Sequence, residues 1–201
     1  MSNIAFVYFD IGGVFLEWSK ALHGAAHSFG INPEDLIAVF DENHEAITKG
    51  NITADNLWEK ACDKLSLRNG KGFNLLESWV GDYVPINETY EFATSLVGKY
   101  RLGLLSNIYK GMFPLLQERK IVPKIAWDQV VLSCEVRAKK PEKEMFALAE
   151  KNAGVDPANI LLIDDSESSI LGARESGWQA IHFETYNPKQ SVQEVSKFLG
   201  L

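Results

Sequence analysis

Four places in this chain gather residues that can do chemistry, three of them directly after a short apolar run and one at the opening of a helical pattern. Asp10 closes IAFVYF, and Ser106–Asn107 follow LGLL. Lys140 stands before PEKEMF, and the pair Asp164–Asp165 follows LLI. A carboxylate, a hydroxyl, an ammonium and an acid pair are the groups that nucleophilic, acid–base and charge-stabilising catalysis draw on. Two glycines, Gly12 and Gly13, follow Asp10 almost at once. Singly, each feature has a plainer reading. An aspartate after a strand is often a turn residue, Asp164–Asp165–Ser166 could cap the next helix, and Lys140 could be solvated.

Convergence depends on the elements that carry these residues. The runs 4–9, 101–105, 129–133, 159–163 and 179–183 are β-branched or apolar without interruption, as in strands buried on both faces of a parallel sheet. Helical patterns fall between the later runs: MFPLLQER, PEKEMFALAEKNAG and SESSILGARESG. The last two close on Gly154 and Gly177, where a C-terminal cap is expected. Strand–helix alternation predicts an α/β fold with a Rossmann-like, doubly wound parallel sheet. Ligands of such sheets sit beyond the carboxyl ends of the strands, which is where Asp10, Ser106 and the acid pair fall.

The stretch from Trp18 to Pro85 is different. SKALHGAAHSFG, PEDLIAVFDENHEAI, TADNLWEKACDKL and GFNLLESWVGDY are all helical in period, with caps expected at Ser19, at Asn32 or Pro33, and at Thr53. The division predicted is a core of residues 1–16 and 86–201 with a helical insert, 17–85. The net charge of −7 gives no basic face, so nucleic acid is not an expected partner. Cys62 and Cys134, far apart and without a CxxC spacing, read as free thiols in a reducing compartment. The N-terminal stretch MSNIAFVYFD lacks the features of a signal peptide or a membrane span, and the expected location is the cytoplasm.

FDIGGVF, LLSN, KKPEKEMF and LLIDDSESSILGARESG resemble, in order, the four motifs of the haloacid dehalogenase (HAD) superfamily of hydrolases. The resemblance covers essentially the whole chain, including a helical cap directly after the first motif. KGNITADNLWEKA is similar to the cap of a subgroup (subfamily I, C1 cap) that includes glucose-1-phosphate phosphatases and the phosphatase-like domain of epoxide hydrolases. The resemblance implies a phosphatase in which Asp10 takes the phosphoryl group as an aspartyl phosphate. It implies a Mg²⁺ held by Asp10, the Gly12 carbonyl and Asp165, with Asp164 acting indirectly on the metal waters. Ser106 and the Asn107 amide would hold phosphoryl oxygens, and Lys140 would offset charge on the phosphate and Asp10. The expected partner is a small phosphorylated metabolite, such as a sugar phosphate.

Two departures from the family pattern stand out. Ser169 occupies a position that is often Asn, and Gly12 replaces the aspartate that protonates the leaving alcohol and then activates water. Glu17, on the same loop, is the candidate substitute acid, with His23 and His27 as others. Trp18, His23 and the neighbourhood of Asn43 are the residues expected to line the cap side of the site. Two other readings stay open. One is a metal-independent 2-haloacid dehalogenase, which needs no proton donor for chloride but generally lacks the acid pair. The other is a non-catalytic protein that binds a phosphorylated ligand or a partner.

Overall fold

The computed structural model describes residues 3–201; Met1 and Ser2, part of the stretch read for a signal sequence, lie outside the described residues. Its centre is a parallel sheet built from β1 (Phe6–Phe9), β4 (Arg101–Ser106), β5 (Gln129–Leu132), β6 (Ile160–Asp164) and β7 (Gln179–His182), in the order β5-β4-β1-β6-β7. β1 and β6 are buried along their whole length, which explains why they read as unbroken apolar runs. Side chains alternate between two cores, as the twofold period of a strand requires. Phe6 and Tyr8 pack with α8 (Lys143–Ala153) and Trp178, while Val7 and Phe9 belong to the larger core on the other face. The Tyr8 hydroxyl donates to the Ala149 carbonyl at 2.8 Å and ties β1 to that helix.

Helices α6 (Met112–Glu118), α8 and α9 (Glu167–Glu175) form where the periodic patterns predict them. Gly154 is the C-cap of α8, at φ 63°, and Gly177 at φ 82° follows α9, both in the left-handed region that glycine tolerates. A short turn of helix, α7 (Ser133–Val136), follows β5, and α10 (Pro188–Leu199) ends the chain.

Four helices make up the segment that follows the first strand and its loop: α1 (His23–Phe29), α2 (Pro33–Thr48), α3 (Ala54–Lys64) and α4 (Leu75–Gly81). Asn32 caps α2 by accepting from the Glu34 N–H, with Pro33 at the first helical position. Thr53 and Asn56 form a capping box at α3. Ser19 is not a cap: its own N–H is held by the Glu17 carboxylate, and the chain turns through Leu22, at φ 69°, before α1 begins at His23. The helices are reached and left through an antiparallel pair, β2 (Leu16–Glu17) and β3 (Val84–Pro85), each too short to show as a pattern in sequence. α5 (Asn87–Ser95) then leads back to the sheet.

The helical segment is fastened to the sheet edge. The buried Ser133 hydroxyl donates to the Thr48 carbonyl at 2.7 Å, and Lys49 pairs with Glu142 at 2.7 Å. Glu45 pairs with Lys139 and, at 2.8 Å, with Lys49. These bonds hold its pKa down to about 2. Among the described residues no helix is long and apolar enough to cross a membrane, and Cys62 and Cys134 are free thiols.

Candidate active site

The centre of the sheet brings the carboxyl ends of β1, β4 and β6 side by side, because β1 lies between the other two. Asp10 leaves β1 with its N–H donating to the Ile163 carbonyl at 2.9 Å, which sets it beside Asp164 and Asp165. One carboxylate oxygen from each of Asp10, Asp164 and Asp165 lies within 4.8 Å of the others. Such a cluster can hold a hard divalent cation, which prefers carboxylate and carbonyl oxygens.

Lys140 enters this cluster from the loop before α8. Its ammonium, 1% exposed, lies 3.0 Å from Asp10 Oδ1 and also donates to Asp164 Oδ2. Burial opposes the charge on Lys140, but Asp10 and Asp164 outweigh it, and its pKa rises. Burial lifts Asp164, and Asp10 adds to that, against Lys140 and the Ser166 N–H; its pKa is pushed up to about 6. Burial and then the negative charges of Asp10 and Asp164 push Asp165 up to about 7. A site that raises two carboxyl pKa values in this way concentrates negative charge that a cation would relieve.

The two acids of the pair have separate surroundings. Asp164 Oδ1 accepts the Ser166 N–H at 2.9 Å and Oδ2 accepts Lys140, so its oxygens are engaged within the protein. Asp165 faces the cavity described below and lies against Gly13. A Cβ on Gly13 would sit 2.0 Å from Asp165 Oδ2, and Gly13 is at φ 68°, so only glycine suits this position. The Thr185 hydroxyl donates to the Gly13 carbonyl at 2.8 Å and pins the loop from the far side. The doubled glycine after Asp10 was the signal for this role, which sequence reasoning passed over.

Gly12 differs from Gly13. Its φ is outside the left-handed region, and a Cβ there would meet nothing closer than Trp18 Cδ1, at 3.9 Å. A side chain would fit at Gly12, so its absence leaves open space beside Asp10. Ser106 at the end of β4 is buried, and its Oγ has no hydrogen-bond partner. Buried hydroxyls are ordinarily satisfied, and this one is free to meet a ligand.

The Asn107 side chain is turned to the backbone of Lys140. Its Nδ2 donates to the Lys140 carbonyl at 3.0 Å, and its Oδ1 accepts the Lys140 N–H at 2.8 Å. The side-chain amide therefore clamps the backbone that carries the lysine. Glu17 is also occupied: it bonds the Ser19 N–H in the turn after β2 and is not among the residues lining the cavity. The geometry does not bring it to Asp10 as a substitute acid. Ser169 is buried on α9.

Over the acids opens a cavity of about 490 Å³, closed on its far side by the helical segment. Trp18 lines it, as expected, and so do Asp41 and His44 from the neighbourhood of Asn43; His23, His27 and Asn43 itself do not. His23 turns its Nδ1 to the Ala21 carbonyl, and Asn43 donates to the Val39 carbonyl. The α2 residues that face the cavity are Ile37, Phe40, Asp41 and His44, one stripe at helical spacing. Burial, and then Lys139, lower the His44 pKa against Asp41 and Glu45, so its imidazole is neutral at neutral pH.

The comparisons with known proteins agree with this architecture. Residues 137–191 match the model of the HAD-hydrolase-like family. A D-ribitol-5-phosphate phosphatase of Bacteroides thetaiotaomicron is 23% identical, over 96% of this chain and 98% of its own length. A crystal structure of a HAD family enzyme from the same species, in complex with magnesium and inorganic phosphate, superposes with a TM-score of 0.73. It is 22% identical, covering 90% of this chain and 95% of that one. An L-2-haloacid dehalogenase of Xanthobacter autotrophicus gives a TM-score of 0.68 at 18% identity, covering 90% and 77%. Sheet order and these matches give the chain a haloacid-dehalogenase-like α/β fold, with the family model matched over residues 137–191.

Proposed function

We propose that this protein is a Mg²⁺-dependent phosphomonoesterase that hydrolyses a small phosphorylated metabolite through an aspartyl phosphate on Asp10. The observation that carries this reading is the buried Lys140 ammonium shared by Asp10 and Asp164, with Asp165 completing a triad of acids beside the unpartnered Ser106 hydroxyl. An isolated phosphate repels a carboxylate nucleophile, so the site must bring compensating positive charge.

In this reading the Asp10 carboxylate attacks phosphorus, and the ester oxygen departs with the bonding electrons. Ser106 donates to one phosphoryl oxygen, and Lys140 balances the charge of the transferred group and of Asp10. Asn107 positions Lys140 through both of its backbone groups, and the Asn107 main-chain amide remains the group proposed to meet the phosphate. Water then cleaves the aspartyl phosphate and regenerates Asp10. Asp10, Asp165 and the Gly12 carbonyl are the groups that would hold the Mg²⁺, with Asp164 acting on its waters. Bound there, the ion would supply positive charge for the phosphoryl group.

The helical segment, residues 17–85, is proposed as a cap of the kind found in the glucose-1-phosphate phosphatase and epoxide hydrolase subgroup. It would exclude water and choose the leaving group. Its fastening by Ser133, Lys139 and Glu142 supports a closed resting position. The acid triad favours phosphate over halide, because chloride departure calls for neither a metal nor an acid pair.

The test is release of inorganic phosphate from a panel of phosphomonoesters with Mg²⁺ and with EDTA, alongside halide release from 2-haloacids. Metal-dependent phosphate release is the expected result. Halide release without metal would install the dehalogenase reading, and activity on neither panel would favour a binding protein.

A further inference from the structure

Resting on the phosphatase reading, we infer that the group released from phosphate is an aryl oxide, so that the substrate is the phosphate monoester of a phenol rather than of a sugar or polyol. Two independent features lead to the same leaving group: the walls of the cavity, and what is missing at Gly12.

The cavity beyond the acids is aromatic. Phe40 from α2, Trp79 from α4 and Tyr109 after β4 form one cluster: Phe40 meets Trp79 at 5.2 Å and Tyr109 at 5.7 Å, both edge-on, and Trp79 stacks on Tyr109 at 4.6 Å. Tyr83 joins this wall, its hydroxyl donating to Met112 Sδ at 3.6 Å. Trp18 is 56% exposed and lies against the open space at Gly12. A large aromatic side chain left in water beside a reaction centre provides a face on which a flat ring can stack. A polyol would need a partner for every hydroxyl, and hydroxyls left unpaired on removal from water are costly. Away from the phosphate end, Asp41, His44 and Ser19 are the non-aromatic polar side chains present.

The second feature is the lost proton donor. An alkyl alcohol departs poorly without protonation, whereas a phenol, with a pKa near that of tyrosine at about 10, departs as the anion. Neither His44 nor Glu17 replaces the acid. His44 is neutral under the influence of burial and Lys139, with Asp41 and Glu45 opposing, and Glu17 is bound to the Ser19 N–H. The step balances without a donor: the Asp10 Oδ–P bond forms, the P–O(aryl) bond breaks, and its electron pair leaves on the aryl oxygen, which takes a proton from solvent if its pKa requires one. Water then adds its oxygen to phosphorus, the Asp10–phosphorus bond breaks, and the water proton passes to phosphate and solvent.

The experiment compares phenyl phosphate, benzyl phosphate and ribitol 5-phosphate as probes, with Mg²⁺, in the wild-type protein, Gly12→Asp and Trp18→Ala. Benzyl phosphate keeps the ring but has an alkyl leaving oxygen. The wild type is expected to favour phenyl over benzyl phosphate in kcat/KM by about 10²-fold or more, the scale of lost general-acid help, and Gly12→Asp to narrow that gap. Trp18→Ala, at an exposed position, is expected to raise the KM for phenyl phosphate about two- to ten-fold and to leave that for ribitol 5-phosphate unchanged. Ribitol or benzyl phosphate turned over as well as phenyl phosphate would overturn this inference while the phosphatase reading stood, as would an unchanged KM in Trp18→Ala. Release of phosphate from none of the three would overturn both.

Discussion

Replacing Lys140 by methionine tests the electrostatic heart of the site. The ammonium is 1% exposed, and its partners Asp10 and Asp164 are 11% and 0% exposed, so solvent screens the pairs little. Lys140→Met keeps most of the side-chain volume but leaves two buried carboxylates without their cation. Removing one partner of a buried ion pair typically costs about 3–5 kcal/mol, because the other charge stays desolvated. The deficit should depend on pH. Asp164, already lifted to about 6 with the lysine present, rises further without it. Above about pH 6, over the range to which the loss of Lys140 raises Asp164, the folded variant then holds a proton that neither its unfolded state nor the folded wild type holds. Its stability deficit therefore shrinks by about 1.4 kcal/mol per pH unit as the pH falls through that window. Urea denaturation in EDTA, followed by tryptophan fluorescence, measures both quantities. A deficit below about 1 kcal/mol, the same at pH 8 and pH 6, would refute the picture of a buried ammonium between two carboxylates.

Gly13→Ala should cost roughly 1–2 kcal/mol for its left-handed backbone alone. It should also weaken Mg²⁺ binding in calorimetry, since the new Cβ would have to displace Asp165 Oδ2 from a 2.0 Å clash. Mg²⁺ affinity should fall roughly ten-fold per pH unit below 7, where the ion must displace a proton from Asp165, whose pKa is about 7. The same raised values mean that the metal-free fold takes up protons that the unfolded chain does not. Their contribution to stability is therefore lost as the pH rises through 6 to 7, and thermal melts of wild type against Asp165→Asn in EDTA should show it. Ser133→Ala should lower stability by about 1–3 kcal/mol, since it leaves the Thr48 carbonyl buried without its donor, and a thermal melt reads that directly.

Much of this arrangement was legible in the sequence for a simple reason. Strands buried on both faces read as unbroken apolar runs, and parallel connectivity aims all their carboxyl ends the same way, so Asp10, Ser106 and Asp164–Asp165 had to meet. The rest depends on where side chains point after long-range packing. The Asn107 side-chain amide faces the backbone of Lys140, thirty-three positions away in the chain. Glu17 lies close to Asp10 in sequence, but the β2 turn directs it to Ser19. The stripe of Phe40, Asp41 and His44 was visible as a helical face. Which face of α2 meets the acids is decided by contacts with α7 and the loop before α8, and no local pattern reports it.

The central claim is that Asp10 carries the phosphoryl group in turnover, and rapid acid quench during hydrolysis of an aryl phosphate labelled on phosphorus tests it most directly. With no side chain at Gly12 to activate water, the covalent form should accumulate. The expected result is a burst of phenol release before steady turnover, with hydroxylamine-labile label on Asp10 by mass spectrometry, and both lost in Asp10→Asn. Phosphate release at full rate with no label on the protein, or with label on a different residue, would contradict it.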